Sequence, residues 1–185
     1  MHQRICLVVF LVLFGTASSY AAQKQVDPDR SSLTIHVGKT GVLSAAGHEH
    51  IVMAPIAEGS IDDGQPSHIN IRVEAARLAV MPEEHQTEVQ HAMQERVLES
   101  SRFPEISFTS EDIQPIGDNA WNVSGNLQLH GQVKLIHLSV RLVDGRYVGA
   151  TTIKQTDYGI QPISGLGGSV RVRNALKIDF AIKTK

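Results

Sequence analysis

The chain has 185 residues, and its 17 Lys and Arg against 19 Asp and Glu give a net charge of −2 at pH 7. That balance offers no basic excess to neutralise phosphates, which argues against a nucleic-acid binder. A single cysteine forms no internal disulfide, so the fold has to be held by its core.

The first residues read as an export signal. His2 and Arg4 precede an apolar run from Ile5 to Phe14, and small residues lead to Tyr20-Ala21-Ala22. Ser19 and Ala21 stand two apart, which places cleavage after Ala21 and makes 1–21 a signal peptide. The run is shorter than the roughly 20 residues that span a bilayer, and no later run is long enough to span one. Cys6 leaves with the signal. Without Arg4, 16 basic residues face 19 acidic ones, a net of −3. The remaining chain, 22–185, is expected to be one domain of about 160 residues, periplasmic or secreted.

Val26 to Ser31 is turn chemistry. Leu33, Ile35 and Val37 then alternate with Thr34 and His36, the period of a half-buried strand. Gly38 to Gly41 breaks it, and Val42 to Ala46 is weakly apolar. Ile51 to Ile61 suits a bent strand interrupted by Pro55 and Gly59. Asp62-Asp63-Gly64-Gln65-Pro66 is a turn, and Ile69, Ile71 and Val73 mark the next strand. From Glu83 to Ser101 the spacing changes: Val89, Ala92, Met93, Val97 and Leu98 follow a helix. Pro82, Glu83 and Glu84 suit its start, and Pro104 prevents its continuation.

The organising stretch is 103–142. Phe103 to Phe108 is extended, and a polar turn is expected after it. Trp121, Val123, Gly125, Leu127 and Leu129 then occupy every second position, with Asn122, Ser124, Asn126, Gln128 and His130 between them. Ile136, Leu138, Val140 and Leu142 repeat the dry side, with His137, Ser139 and Arg141 on the wet side. Gly131 to Lys134 is short enough to join the two as an antiparallel hairpin. Tyr147 to Gln155 is a strand without a clear face. A long irregular connection follows through Gly165-Leu166-Gly167-Gly168. Leu176, Ile178, Phe180 and Ile182 close the series.

The fold class is therefore all-β with one helix: an antiparallel barrel of about eight strands, the helix following the early ones. A sandwich plugged by the helix is the structural alternative. The candidate lining of the lumen is Phe108, Trp121, Val123, Leu127, Leu129, Ile136, Leu138, Val140, Leu176, Ile178 and Phe180. An aliphatic tunnel suits a long hydrocarbon chain held by shape and area, whereas a filled core would use the same residues. Val89 and Met93 either cover an opening or pack outside.

Catalytic signatures are missing. There is no G-x-S-x-G, and Gly165 to Gly168 lacks the context of a phosphate loop. Gly47-His48-Glu49-His50 is the sharpest cluster. In an extended segment His48 and His50 point the same way and could share zinc or copper, with a third ligand drawn from His36, His68, His130 or His137. A metal-binding protein or metal-dependent enzyme using His48 and His50 is thus the alternative reading. His130 and His137 are read as solvated.

Arg102-Phe103-Pro104-Glu105-Ile106-Ser107-Phe108-Thr109-Ser110 resembles the F-P-x-I-x-F-x-S pattern of the YceI-like family of exported proteins. Val123 to Gly131 resembles its V-x-G-x-L-x-L-H-G, and Asp157-Tyr158-Gly159-Ile160 its D-F-G-I. The motifs come in the family's order, and the resemblance covers nearly the whole exported chain. Lys154-Gln155-Thr156 departs where many members carry an arginine, and Ala45 to His50 departs where a Gly-Phe pair is common. The resemblance implies a lipocalin-like barrel enclosing a polyisoprenoid lipid, with quinone-type chains the usual suggestion. It implies no catalytic residues and no cofactor beyond that lipid, and a homodimer stays open as the assembly.

Overall fold

The computed structural model describes residues 23–40, 49–62, 67–82, 85–165 and 170–185. The expected signal peptide, the Val42–Ala46 segment, most of the Asp62–Pro66 turn, Glu83 and Glu84, His48 and most of the glycine-rich loop lie outside them. The strands are β1 (Lys24–Gln25), β2 (Ser32–Val37), β3 (Lys39–Thr40), β4 (His50–Met53), β5 (Ile56–Asp62), β6 (His68–Glu74) and β7 (Ala79–Val80). After helix α1 (Gln86–Ala92) come β8 (Glu105–Gly117), β9 (Ala120–Leu129), β10 (Gln132–Val143), β11 (Arg146–Lys154), β12 (Ser164–Gly165), β13 (Val170–Val172) and β14 (Ala175–Ile182).

Eleven strands form one antiparallel sheet in the order β1-β5-β6-β8-β9-β10-β11-β14-β2-β4-β7, and β12-β13-β3 form a small second sheet. The large sheet curls into a ring. β4 and β5 are two halves of one run bent at Ala54-Pro55: β4 pairs with β2, and β5 pairs with β6. Following that run links β14-β2 back to β6-β8 and leaves eight staves, as the alternation predicts. A second closure joins the first and the last described segments. Val26 bridges Thr184, the Asp27 N–H donates to the Lys183 carbonyl at 2.7 Å, and the Lys185 N–H donates to the Gln25 carbonyl at 2.9 Å.

Several boundaries differ from the sequence reading, each for a physical reason. The polar turn expected after Phe108 is strand: β8 runs on to Gly117. A bulge between Ser110 and Asp112 shifts its register, so the inward set changes from Ile106 and Phe108 to Ile113 and Pro115. That change of parity hides the strand from a period-two reading. Ser110 sits at the bulge, buried, and its Oγ accepts the Ile69 N–H at 2.8 Å. The β9–β10 turn is His130-Gly131 alone, with both residues at positive φ (51° and 71°). This mirror-image turn matches the strand twist, so Gln132 to Lys134 join β10. The helix is also shorter than 83–101. After Ala92 it widens into a π-helical turn over Met93–Val97. No helix among the described residues is long and apolar enough to cross a membrane.

The larger cluster of buried residues lies where α1 meets the sheet. Leu98, Leu129, Ile153, Tyr158 and Ile160 are buried together there with Val52, Leu78 and Val80. Val26, Ile56, Ile61 and Ile182 form a second cluster. Tyr158 is 1% exposed, and its hydroxyl is buried without a hydrogen-bond partner among the described residues. Burial, with the charge of Asp157 adding to it, pushes the phenol up to about 12. A raised folded value means the neutral phenol favours the fold. The resulting stability is complete below the ordinary value near 10 and is lost as pH rises through about 12. Tyr158→Phe removes an unsatisfied buried group, so stability at pH 7 should hold or rise by roughly 1 kcal/mol. Urea titrations of both proteins at pH 7 and 11 check this: only the wild type should show that alkaline loss.

Candidate functional site: an apolar lumen

The sheet wraps around one cavity of about 710 Å³. This lies within the roughly 300–1,000 Å³ of ligand pockets. Leu33, Ile35 and Val37 enter its wall from β2, Ile69, Ile71 and Val73 from β6, and Leu176, Ile178 and Phe180 from β14. The structure places all eleven residues proposed from alternation on this wall: Phe108, Trp121, Val123, Leu127, Leu129, Ile136, Leu138, Val140, Leu176, Ile178 and Phe180. Many inward aliphatics, including Leu33, Ile35, Ile136 and Ile178, remain only partly buried although they face away from the outer surface. A solid core would have closed over them. Their residual accessibility is that of a void.

Cross-strand register explains the wall. On β9 and β10, Trp121 stands opposite Val140, Val123 opposite Leu138, and Gly125 opposite Ile136. Side chains on directly opposed residues point to the same face, so these pairs stack along the lumen. Phe108 lies over Gly125, and Phe180 lies over Gly149. Phe180 is the cross-strand partner of Gly149, whereas Phe108 pairs with Leu127 and reaches Gly125 diagonally; each ring fills space that a side chain on the glycine would otherwise occupy.

Helix α1 covers one end. Val89, Ala92 and Met93, followed by Val97 in the π turn, line the cavity, which settles the placement left open by sequence. What holds the helix there is a row of glutamines four residues apart. Gln86 Nε2 donates to the Val80 carbonyl at 2.8 Å. Gln90 Oε1 accepts the Val80 N–H and its Nε2 donates to the Leu78 carbonyl, both at 2.8 Å. Gln94 Nε2 donates to the carbonyls of Leu78 and Ala75 at 3.0 and 3.1 Å. Spacing of four keeps one helix face on β7, where the side chains satisfy backbone groups at the sheet's edge. The sequence shows this spacing, but polar residues at a helical period read as a wet face. Gln90→Ala should cost about 1–2 kcal/mol, because it leaves the buried Val80 N–H unpaired while the Leu78 carbonyl keeps Gln94. Chemical denaturation measures it, with exposed Gln114→Ala as the control.

Polar groups are few along the wall. His50 and Glu88 reach it at the α1 end, and Asp62 and Ser67 reach it where the β4–β5 run finishes. Thr151 lies between, and Gln155 joins the α1 end just beyond β11. Thr151 Oγ1 donates to the His137 carbonyl at 3.2 Å, and Gln155 Nε2 donates to the Arg173 carbonyl at 2.9 Å.

The histidines divide among separate surroundings. His48 lies outside the described residues, whereas His50 opens β4 and borders the lumen. His36 is held between two carboxylates, 3.4 Å from Glu49 and 3.0 Å from Asp179. Lys177 donates to Asp179 at 2.9 Å; with the nearby His36, it holds that carboxyl below the usual range. Among the described residues no group of three or more His, Cys, Asp or Glu side chains is disposed to hold a metal ion. His137 is exposed, as expected. His130 corrects its expectation. Its side chain is 12% exposed, with one ring nitrogen 3.2 Å from the Tyr158 carbonyl and the other 3.2 Å from Glu99 Oε1. Phe103 packs on the imidazole at 4.2 Å between ring centroids. The tight turn lifts His130 out of the β9 alternation, so its parity misleads.

The sequence profile of the YceI-like domain matches residues 25–184. The chain belongs to the YceI-like family. A UPF0312 protein from Shewanella baltica is 23% identical over 171 residues, covering 86% of this chain and 87% of that one. Among solved structures, a polyisoprenoid-binding domain from Saccharophagus degradans, implicated in plant cell wall breakdown, superposes with a TM-score of 0.62 at 17% identity, covering 88% of this chain and 97% of that one. Burkholderia cenocepacia BcnA gives 0.61 at 16% identity, covering 85% and 98%. The Campylobacter jejuni YCEI protein gives 0.52 at 14%, covering 100% and 94%. At these identities the structures establish the shared lipocalin-like barrel. In this YceI-like domain the F-P-E-I-S-F motif builds β8 and its Phe108, the V-S-G-N-L-Q-L motif builds β9, and D-Y-G-I supplies buried Tyr158 and Ile160.

Proposed function

We propose that this YceI-like protein is a non-enzymatic carrier or sequestering protein for an isoprenoid-type lipid, whose chain lies in the lumen. The observation that carries this reading is the continuous aliphatic wall around an open volume, beneath a helix that contributes Val89 and Met93 to it. Burying a hydrocarbon there yields roughly 25 cal/mol per Å² of apolar surface and demands no hydrogen bond. The Saccharophagus domain of the same fold is a polyisoprenoid binder, which supports the same class of cargo here. A quinone-type chain is the first candidate. The leader over 1–21 and cleavage after Ala21 place the work in the periplasm or outside the cell, with Ala22 as the first residue of the mature protein.

The test is organic extraction of protein purified from its native compartment, followed by mass spectrometry and amino-terminal sequencing. An isoprenoid lipid near one per chain, on protein beginning at Ala22, is the expected result. A lipid-free protein whose Trp121 fluorescence does not respond to added prenol sinks the proposal.

A further inference from the structure

Helix α1 and the π turn are fastened to the barrel differently along their length. From Gln86 to Val97 no residue is fully buried, although Val89, Ala92, Met93 and Val97 face the cavity. Among the described residues, the polar links from this stretch to the strands are the side chains of Gln86, Gln90 and Gln94, made to Ala75, Leu78 and Val80. Neutral bonds of this kind exchange for water at modest net cost. Beyond Val97 the fastening is firm. Leu98 is buried, Glu99 Oε1 lies 3.2 Å from His130, Phe103 packs on that imidazole, and the Ala75 N–H donates to the Pro104 carbonyl at 2.8 Å. Between the two parts lies the π turn, where the Leu98 N–H reaches back to the Met93 carbonyl at 2.9 Å. Helices bend at such interruptions of the regular ladder.

We infer that α1 is a hinged lid: it turns about Met93–Val97, parts from β7 at its Gln86 end and passes the lipid there, while Glu99 and His130 pin the hinge. This rests on the lipid-binding reading above. Turning α1 breaks side-chain bonds and no strand pairing, the character of segments that open locally. The opposite end of the lumen is tied by backbone. There the Val26 N–H donates to the Gly59 carbonyl at 2.8 Å, the Asp27 N–H donates to the Lys183 carbonyl at 2.7 Å, and Val26, Ile61 and Ile182 are buried together. The lid's edge also borders exposed Ile51 and Met81, joined by the Met81 N–H and the Ile51 carbonyl at 2.8 Å. A hydrocarbon crossing that edge moves over apolar surface.

Trp121 is the only tryptophan and sits in the wall, so its fluorescence reports occupancy. Stopped-flow mixing of the delipidated mature protein with geranylgeraniol gives the rate of loading. Mixing the loaded protein with excess phosphatidylcholine vesicles gives the rate of release. Entry and exit share one opening, so a weaker catch speeds both alike. Gln86→Ala should raise both rates by about fivefold to tenfold, the effect of one lost hydrogen bond, and leave Kd within about twofold. Gln114→Ala, exposed on β8, is the control and should change neither. In the lipid-free wild type, hydrogen exchange should be at least about tenfold faster at the amides of Val89–Ala92 than at Leu98 and Phe103. Unchanged rates in Gln86→Ala overturn the lid while the lipid-binding reading stands. So does faster release with loading unchanged, which would make Gln86 a support of the closed complex and not a catch. Equal exchange on both sides of the π turn overturns the hinge. Failure of the wild type to bind the alcohol, with no lipid extracted from native protein, overturns both readings together.

Discussion

Gly125→Ala is expected to cost about 3 kcal/mol, the upper end of overpacking penalties. A methyl group there would stand 2.5 Å from both the Thr109 carbonyl oxygen and the Phe108 ring. The ring could swing aside, but the carbonyl belongs to the β8–β9 ladder and can move only by breaking pairing. Gly149→Ala meets the same obstacle, with Ser139 O and Phe180 as the opposing atoms. Gly38→Ala is the control, since its nearest neighbour is the flexible stem of Arg173 at 3.0 Å. Urea denaturation of the three variants checks the order. A Gly125→Ala protein as stable as Gly38→Ala would show that β8 and β9 yield more readily than their register suggests.

Val140→Trp should have the opposite character: a folded protein that has lost its cargo. Val140 is 6% exposed, lies toward the Val143 end of β10 and faces the lumen beside Trp121. In a filled core, that much added bulk typically costs about 1–3 kcal/mol or more. In an open lumen, the indole enters existing space and removes room from the lipid chain. Thermal unfolding and extracted lipid, measured on the same preparation, separate the cases. A strongly destabilised variant that keeps its cargo in the folded fraction would mean that the ligand lies elsewhere.

Alternation made the wall legible because β9, β10 and β14 each keep one parity through the whole barrel. From Trp121 to Leu129 every second residue faces inward. Legibility ended where parity changed. The bulge near Glu111 hid the second half of β8, and the two-residue turn made His130 look like another solvated polar position. The glutamines of α1 failed differently. Their partners are backbone groups of Ala75, Leu78 and Val80, in a two-residue edge strand and the turn before it, and no side-chain pattern announces those. The void itself was beyond reach, since Ile136 or Ile178 would alternate identically around a solid core. Only the arrangement of all the staves sets the diameter.

The ring's second closure lies between the first and the last described segments, at Val26 and Thr184. This sets an order of assembly. The meander β8-β9-β10-β11 is built from neighbours in sequence and can form early, because each hairpin closes a short loop. β2 has to wait for β14, which pairs with it from the far end of the chain. Until β14 arrives, the half-made sheet presents bare strand edges and an aliphatic inner face to water, the condition in which sheets join to one another instead of to themselves. β14, the last strand among the described residues, therefore completes the container.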